Sequence, residues 1–186
     1  MNTLRNIIAR NLSGKKVLLL FLICNVVYAL MLIITIPKTM AYAQGMDLFD
    51  MMPMGYDHPY AIALLTALGD TGRNVYLFNQ IPLDLIYPLL FAFSYCLILS
   101  YFLKKINRFD SSLFYLSLLP LIAGSADYLE NAGIITMLVN YPEISTTLVN
   151  STSTFSVIKS MSTTLYFLVL IVVLIAFGVK SVRRKS

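Results

Sequence analysis

Two carboxylates and an amide interrupt an apolar stretch of the chain between residues 113 and 139. Asp127, Glu130 and Asn131 follow one another at three- and four-residue spacing, so a helix that turns about 100° per residue places them on one face. An ionisable side chain costs at least about 2.5 kcal/mol at the centre of a bilayer, and those that occur there face protein or water and mark functional sites. This pattern predicts an embedded polar site that holds a cationic or hydroxylated ligand or passes a proton.

The composition indicates the elements that must position this site. The 186-residue chain is 58% hydrophobic and 12% charged, whereas about a quarter of the residues of a soluble domain are charged. Four apolar segments, 17–37, 81–103, 113–139 and 155–179, are each near or above the roughly 20 residues that cross a bilayer. We predict an all-α fold in which residues 1–186 form a single domain, a bundle of four transmembrane helices.

Basic residues cluster before the first apolar segment, between the second and third, and after the fourth. By the positive-inside rule, this pattern predicts a multi-pass protein of the cell membrane with both termini in the cytoplasm and residues 38–80 in an external loop. The net charge of +5 is thereby explained without a nucleic-acid partner. The residues concerned are Arg5, Arg10, Lys15, Lys16, Lys104, Lys105, Arg108, Lys180, Arg183, Arg184 and Lys185.

The long external loop contains one apolar run, from Pro59 to Leu68, with a proline suited to a helix start and Gly69 suited to a stop. We expect a short interfacial helix here that covers the mouth of the bundle. Ala41-Tyr42-Ala43, just after the first segment, resembles a signal-peptide cleavage site. The preceding apolar run is longer than a signal peptide requires, which favours a retained helix.

Each apolar segment also carries a polar stripe at helical spacing. In the second segment Asp84, Tyr87 and Tyr95 share a face, and in the fourth Lys159 enters from the outer end. We expect Lys159 to pair with Glu130 or Asp84, and the stripes to converge in the outer half of the membrane. The predicted ligand-binding residues are Asp84, Tyr87, Tyr95, Asp127, Glu130, Asn131 and Lys159.

We predict no cofactor and no metal site. Cys24 and Cys96 lie in apolar runs without a Cys-x-x-Cys pattern, and we interpret them as small buried hydrophobic residues. His58 is the single histidine, and we interpret it as a solvated loop residue. The sequence has no pattern of a nucleophilic triad, so no catalytic residue is assigned.

Several short motifs occur in order along residues 49–142: Phe49-Asp50-Met51 with Gly55-Tyr56, Gly72-Arg73 with Tyr76, Gln80-Ile81-Pro82-Leu83-Asp84 with Pro88, and Asp127-Tyr128-Leu129-Glu130-Asn131 with Tyr141-Pro142. In these motifs the chain resembles an uncharacterised bacterial family of four-helix integral membrane proteins. The resemblance implies the fold and no particular activity.

A more distant likeness concerns Gln80-Ile81-Pro82, which leads into a segment with a carboxylate. This feature is similar to the four-helix EXPERA proteins, which bind or isomerise sterols with membrane-embedded acidic residues. The chain has no tryptophan, and its histidine lies outside the apolar segments. Both facts speak against sterol isomerase chemistry, so the likeness concerns the fold alone.

The function expected from these features is the binding or handling of a small amphipathic or lipid-like ligand. Membrane lipids or such a ligand are the expected partners, and a homo-oligomer or a membrane partner protein remains open. Two alternatives also remain. One is a membrane enzyme that uses Asp127 or Glu130 as general acid or base, and the other is a structural or accessory subunit whose polar residues only hold the helices together.

Overall fold

The computed structural model describes residues 2–183, most of which are helical, with no β-strand among them. Arg184 and Lys185, which contribute to the predicted topology signal, lie outside the described residues. Short 3₁₀-helices occupy Phe49–Met51 and Ser112–Leu118. The α-helices are α1 (Asn2–Asn11), α2 (Gly14–Met40), α3 (His58–Val75), α4 (Ile81–Lys105), α5 (Leu119–Asn140) and α6 (Thr146–Arg183).

Four helical stretches are long and apolar enough to cross a membrane: Gly14–Met40, His58–Lys105, Ser112–Asn140 and Thr146–Arg183. Each contains one of the segments predicted from hydropathy. The fourth begins well before residue 155, because the polar residues that precede the apolar run continue the helix and pack against α5. Thr152 and Ser156 are buried there.

The region predicted as an external loop, residues 38–80, is largely helical. Asp57 caps α3 by accepting a hydrogen bond from the backbone N–H of Tyr60, at 2.9 Å. Gly69 interrupts the helix at φ 60° and ψ −178°, a conformation that glycine adopts readily. A π-helical turn, Tyr76–Gln80, then joins α3 to α4. The connection without a long helix is therefore confined to residues 41–57.

The predicted helix at residues 59–68 exists as part of α3, and one face of it is buried in the core. Ala61, Leu64 and Leu65 are fully buried and form a hydrophobic cluster with Phe49 and Met137. Burial of an apolar side chain stabilises the fold in proportion to the apolar area removed from solvent. This helix is therefore part of the core.

The long helices pack in the order α2, α4, α5, α6. Two glycines permit the closest approaches. A β-carbon at Gly124 would lie 2.8 Å from the backbone oxygen of Pro88 in α4, and one at Gly133 would lie 2.0 Å from Oγ1 of Thr152 in α6. Both helix pairs therefore depend on a residue without a side chain at the crossing point.

The basic ends of the helices meet at one end of the bundle. Lys180 Nζ donates to the backbone oxygen of Lys105 at 3.0 Å, and Arg5 donates to the backbone oxygen of Asp110 at 3.3 Å. Ile8 of α1 packs into the hydrophobic cluster at this end, together with Leu103. The segments predicted to be cytoplasmic thus share one end, and the 41–57 connection lies at the other.

Candidate functional site

Lys159 of α6 bridges the two carboxylates of α5. Its Nζ lies 2.5 Å from Oε2 of Glu130 and 3.3 Å from Oδ1 of Asp127. The three-residue spacing of Asp127 and Glu130 places both on the face of α5 that packs against α6. The expected pairing of Lys159 with Glu130 is present, whereas its second partner is Asp127 and not Asp84.

Glu130 is enclosed by this arrangement. It is 0% exposed, and Oε1 accepts a hydrogen bond from the hydroxyl of Ser156 at 2.5 Å. Ser156 stands one helical turn before Lys159, so a single face of α6 supplies both partners. A buried carboxylate is tolerated when it is paired and hydrogen-bonded in this way, and the pair ties α5 to α6.

Asp84 of α4 has a different environment. The residue is 4% exposed, yet its Oδ2 has no hydrogen-bond partner among the described residues. Asn131 does not reach this carboxylate. Its amide nitrogen instead donates to the backbone oxygen of Asp84 at 2.9 Å, so Asn131 fixes the backbone of α4 and leaves the carboxylate of Asp84 unengaged.

A cavity of about 440 Å³ lies between α2, α4, α5, α6 and the 41–57 connection. Asp84, Asp127 and Lys159 are on its wall, and so is Tyr87, whose ring stacks on that of Tyr28 at 5.3 Å. Glu130 and Asn131 lie behind the wall. The full lining is Tyr28, Met31, Leu32, Ile36, Asp50, Met51, Pro53, Asp84, Tyr87, Phe91, Ala123, Asp127, Lys159, Ser160, Thr163 and Thr164.

Tyr95 is a predicted ligand-binding residue that the structure does not place on this wall. Its ring packs against Phe91 at 4.6 Å and against Tyr166 at 5.8 Å. The hydroxyl of Tyr166 also donates to the backbone oxygen of Tyr95 at 2.7 Å. Tyr95 therefore belongs to an aromatic cluster that supports the cavity from the basic end.

Asp50 is a wall residue that the sequence analysis placed in the external loop. The fully buried ring of Phe49 anchors the 3₁₀-helix that carries it. The hydroxyl of Tyr76 donates to Oδ1 of Asp50 at 2.5 Å, and the amide of Gln80 donates to Oδ2 at 3.2 Å. Gln80 lies one turn before Asp84 on the same helix face. This spacing was the one sequence signal that Gln80, and with it Asp50, belongs to the polar region around Asp84.

Two π-helical turns meet beside this network, one at Met31–Thr35 in α2 and the other at Tyr76–Gln80. The hydroxyl of Thr35, the last residue of the first turn, donates to Oε1 of Gln80, the last residue of the second. π-helical turns are rare in proteins, and those that do occur are often found at functional sites. Here they align one chain of hydrogen bonds from Thr35 through Gln80 to Asp50.

No group of three or more histidine, cysteine and carboxylate side chains in residues 2–183 has the geometry of a metal site. His58 Nε2 lies 3.1 Å from the backbone oxygen of Ile144, so this ring is engaged at the start of α3. It is half-buried, in contrast to the solvated loop position expected for it. Cys24 and Cys96 are buried thiols without a disulfide, as the sequence suggested.

Comparisons of the chain with protein-family models, with curated proteins and with solved structures give no match. The resemblances described above rest on their motifs alone and transfer no activity. The chemistry of the cavity must therefore be argued from its own residues.

The cavity combines an acidic end with an apolar side. Within the part of the chain that the structure describes, its wall carries three carboxylates, from Asp50, Asp84 and Asp127, and one ammonium, from Lys159. Lys159 is shared with the enclosed Glu130, so carboxyl groups outnumber ammonium groups in this region. Such a wall can hold a donor group or a cation and can accommodate an apolar chain beside it.

Proposed function

We propose that the protein is a multi-pass membrane protein that binds or handles a small amphipathic, lipid-like molecule in this cavity. The main support for this proposal is the environment of Asp84. This residue is buried on the wall of the cavity, and its Oδ2 has no hydrogen-bond partner among the described residues. A buried acceptor without a partner is costly, and a bound donor would remove that cost.

The helix arrangement supports access from the side. Extensive contacts join α2 to α4, α4 to α5, and α5 to α6, while the cavity separates α2 from α6. Leu32 of α2 and Thr164 of α6 are on this border and are exposed. If the four long helices cross the bilayer, this gap faces acyl chains, which suits a ligand with an apolar tail.

In the proposed orientation the protein lies in the cell membrane, with the basic end of the bundle in the cytoplasm. The 41–57 connection is then outside the cell. The cavity then lies in the outer half of the bilayer. Its volume of about 440 Å³ is within the usual range for small-molecule sites, about 300–1,000 Å³.

The other two functions remain as alternatives. Acid–base catalysis would use Asp127, because Asp127 lies on the cavity wall where a substrate could reach it. Glu130 is enclosed and is therefore not accessible to a substrate. A structural role is compatible with the ion pairs between α5 and α6, which hold the helices together whether or not a ligand binds. A homo-oligomer or a membrane partner protein would add to either role.

Native mass spectrometry of the protein extracted with its own lipids tests the proposal. We expect one specific retained mass in the natural protein and its loss in Thr164→Trp, which fills the gap between α2 and α6. Leu165→Trp is the matched control, because Leu165 is exposed on the same helix and is absent from the cavity wall. Equal lipid carry-over in all three proteins would leave only a packed bundle.

A further inference from the structure

We infer that the cavity selects amphiphiles with a cationic amine head group, and that Asp84 is the anchor for that group. This inference rests on the proposed function and specifies the class of its ligand. The carboxylates of the wall differ in whether they already have hydrogen-bond or ion-pair partners. Asp50 accepts one hydrogen bond at each oxygen, and Asp127 is paired with Lys159. Asp84 is left, more than nine-tenths buried and with Oδ2 free of any partner in the described residues.

The charge of the wall determines which head groups fit. Lys159 is the wall's ammonium, and it is engaged by Asp127 and Glu130 together. A ligand with a phosphate or a carboxylate would meet the acidic wall without a free cation, and like charges at close range are strongly unfavourable in a low-dielectric site. A neutral hydroxyl satisfies one acceptor, whereas an ammonium also offsets the excess charge.

The surrounding groups favour an organic amine over a metal ion. The described residues contain no group of three or more potential ligand side chains with metal-site geometry. The ring of Tyr87, stacked on that of Tyr28, shares the wall with Asp84. Aromatic faces attract alkylammonium groups at close range, and a carboxylate beside them supplies the charged hydrogen bond.

The rest of the ligand is placed by the same wall. Met31 and Leu32 of α2 border the cavity opposite Thr163 and Thr164 of α6. A single alkyl chain that starts at the head group beside Asp84 runs out between these helices. The geometry therefore points to a single-chain primary amine rather than to a two-chain phospholipid.

Three probes of equal chain length separate the head-group contributions: dodecylamine, dodecanol and dodecyl phosphate. Each is titrated into the full-length protein in nanodiscs of neutral phosphatidylcholine, with empty nanodiscs as the blank for partitioning. Saturable binding is measured by calorimetry. We expect dodecylamine to bind about tenfold or more tightly than dodecanol, since a hydrogen bond from a charged donor to a carboxylate is stronger than one from a neutral hydroxyl. Dodecyl phosphate should not saturate.

The Asp84→Asn variant keeps the shape of the side chain and removes its charge, so the preference for dodecylamine over dodecanol should fall to near unity. Asp84→Glu keeps the charge and should retain the preference, which guards against a folding defect in the first variant. Glu143→Gln is the control, because Glu143 is exposed and absent from the cavity wall. A preference that persists in Asp84→Asn would overturn the inference.

The outcomes also separate this inference from the proposed function. If dodecanol and dodecylamine bind the natural protein equally and Thr164→Trp abolishes both, the cavity is an amphiphile site and the amine selectivity is wrong. If no probe saturates and the extracted protein retains no specific mass, both proposals fail.

Discussion

The side-chain amide of Asn131 donates a hydrogen bond to the backbone carbonyl of Asp84, which has no helical donor because residue 88 is a proline. Proline has no N–H, so the carbonyl four residues earlier, that of Asp84, loses its intrahelical partner. Asn131 Nδ2 donates to this oxygen at 2.9 Å, and the hydroxyl of Tyr128 donates to the next carbonyl, that of Leu85, at 2.7 Å. In hydrocarbon such repair from a neighbouring helix is needed, because water is absent.

Asn131→Ala should therefore destabilise the protein by about 1–3 kcal/mol, the cost of a buried acceptor left unpaired. In the Pro88→Ala background the helix supplies its own donor, and Asn131→Ala should cost much less. The double-mutant cycle is measured by unfolding in mixed micelles of neutral detergent and dodecyl sulfate. Additive effects of the two substitutions would contradict the repair.

Lys159→Met should be among the most damaging single substitutions. It leaves Asp127 and Glu130 buried without a cation, and breaking a buried ion pair on one side costs about 3–5 kcal/mol. Adding Asp127→Asn and Glu130→Gln should restore most of the loss in the same unfolding assay. Lys180→Met is the control on the same helix, because the hydrogen bond from Lys180 to the Lys105 backbone oxygen is exposed. Equal losses in both lysine variants would count against the ion-pair bridge.

Gly133→Ala and Gly178→Ala should shift stability in opposite directions. At Gly133 the new methyl group would lie 2.0 Å from Oγ1 and 2.8 Å from Cβ of Thr152, so α5 and α6 must separate, at a cost of about 1–3 kcal/mol. At Gly178 no atom of another helix among the described residues lies within 4 Å of the added methyl group, and alanine should gain up to about 1 kcal/mol in helix propensity. Thermal unfolding in detergent measures both, and a tolerated Gly133→Ala would show that the crossing is less tight.

Asp50→Ala should weaken the attachment of the 41–57 connection. It removes the acceptors of the Tyr76 hydroxyl and the Gln80 amide, both fully buried, at about 1–3 kcal/mol for each group left unpaired. Hydrogen exchange of residues 41–57 should rise. Asp47→Ala is the control, because Asp47 is exposed and its backbone oxygen keeps the hydrogen bond from Tyr60. Unchanged exchange in Asp50→Ala would mean that Phe49 alone holds this segment.

The proposed orientation can be tested with a membrane-impermeant maleimide. Cys24 and Cys96 are 1% and 3% exposed, so the natural protein should not react. Met54→Cys, at a position 88% exposed, should be labelled in intact cells. Arg108→Cys, exposed at the opposite end, should be labelled only after permeabilisation. The reverse result would invert the assigned topology.

Hydropathy and helical spacing predicted the four long helices and brought Asp84, Asp127, Glu130 and Lys159 into one region, because those signals are local and periodic. The same signals missed Asp50. Its place depends on the buried ring of Phe49 and on hydrogen bonds from residues more than 25 positions away along the chain, and such long-range contacts leave no periodic trace.

The π-helical turns and the early start of α6 were missed for related reasons. A π turn alters one hydrogen-bond register without a distinctive composition, and the Tyr76–Gln80 turn is visible only through its partner Thr35. The first residues of α6 are polar, so a hydropathy window excludes them. They lie in a helix that packs closely against α5, where Thr152 lies beside Gly133.

The unequal packing of α2 has a kinetic consequence. Its extensive contacts are with α4, whereas the ion pairs of Lys159 lie entirely between α5 and α6. Widening the gap beside Thr164 therefore requires the displacement of one helix and leaves the charged cluster closed. If the proposed guest binds in the cavity, we expect its residence time to depend on the contacts of α2, among them the Tyr28–Tyr87 stack, which can be changed without altering the ion pairs of Lys159.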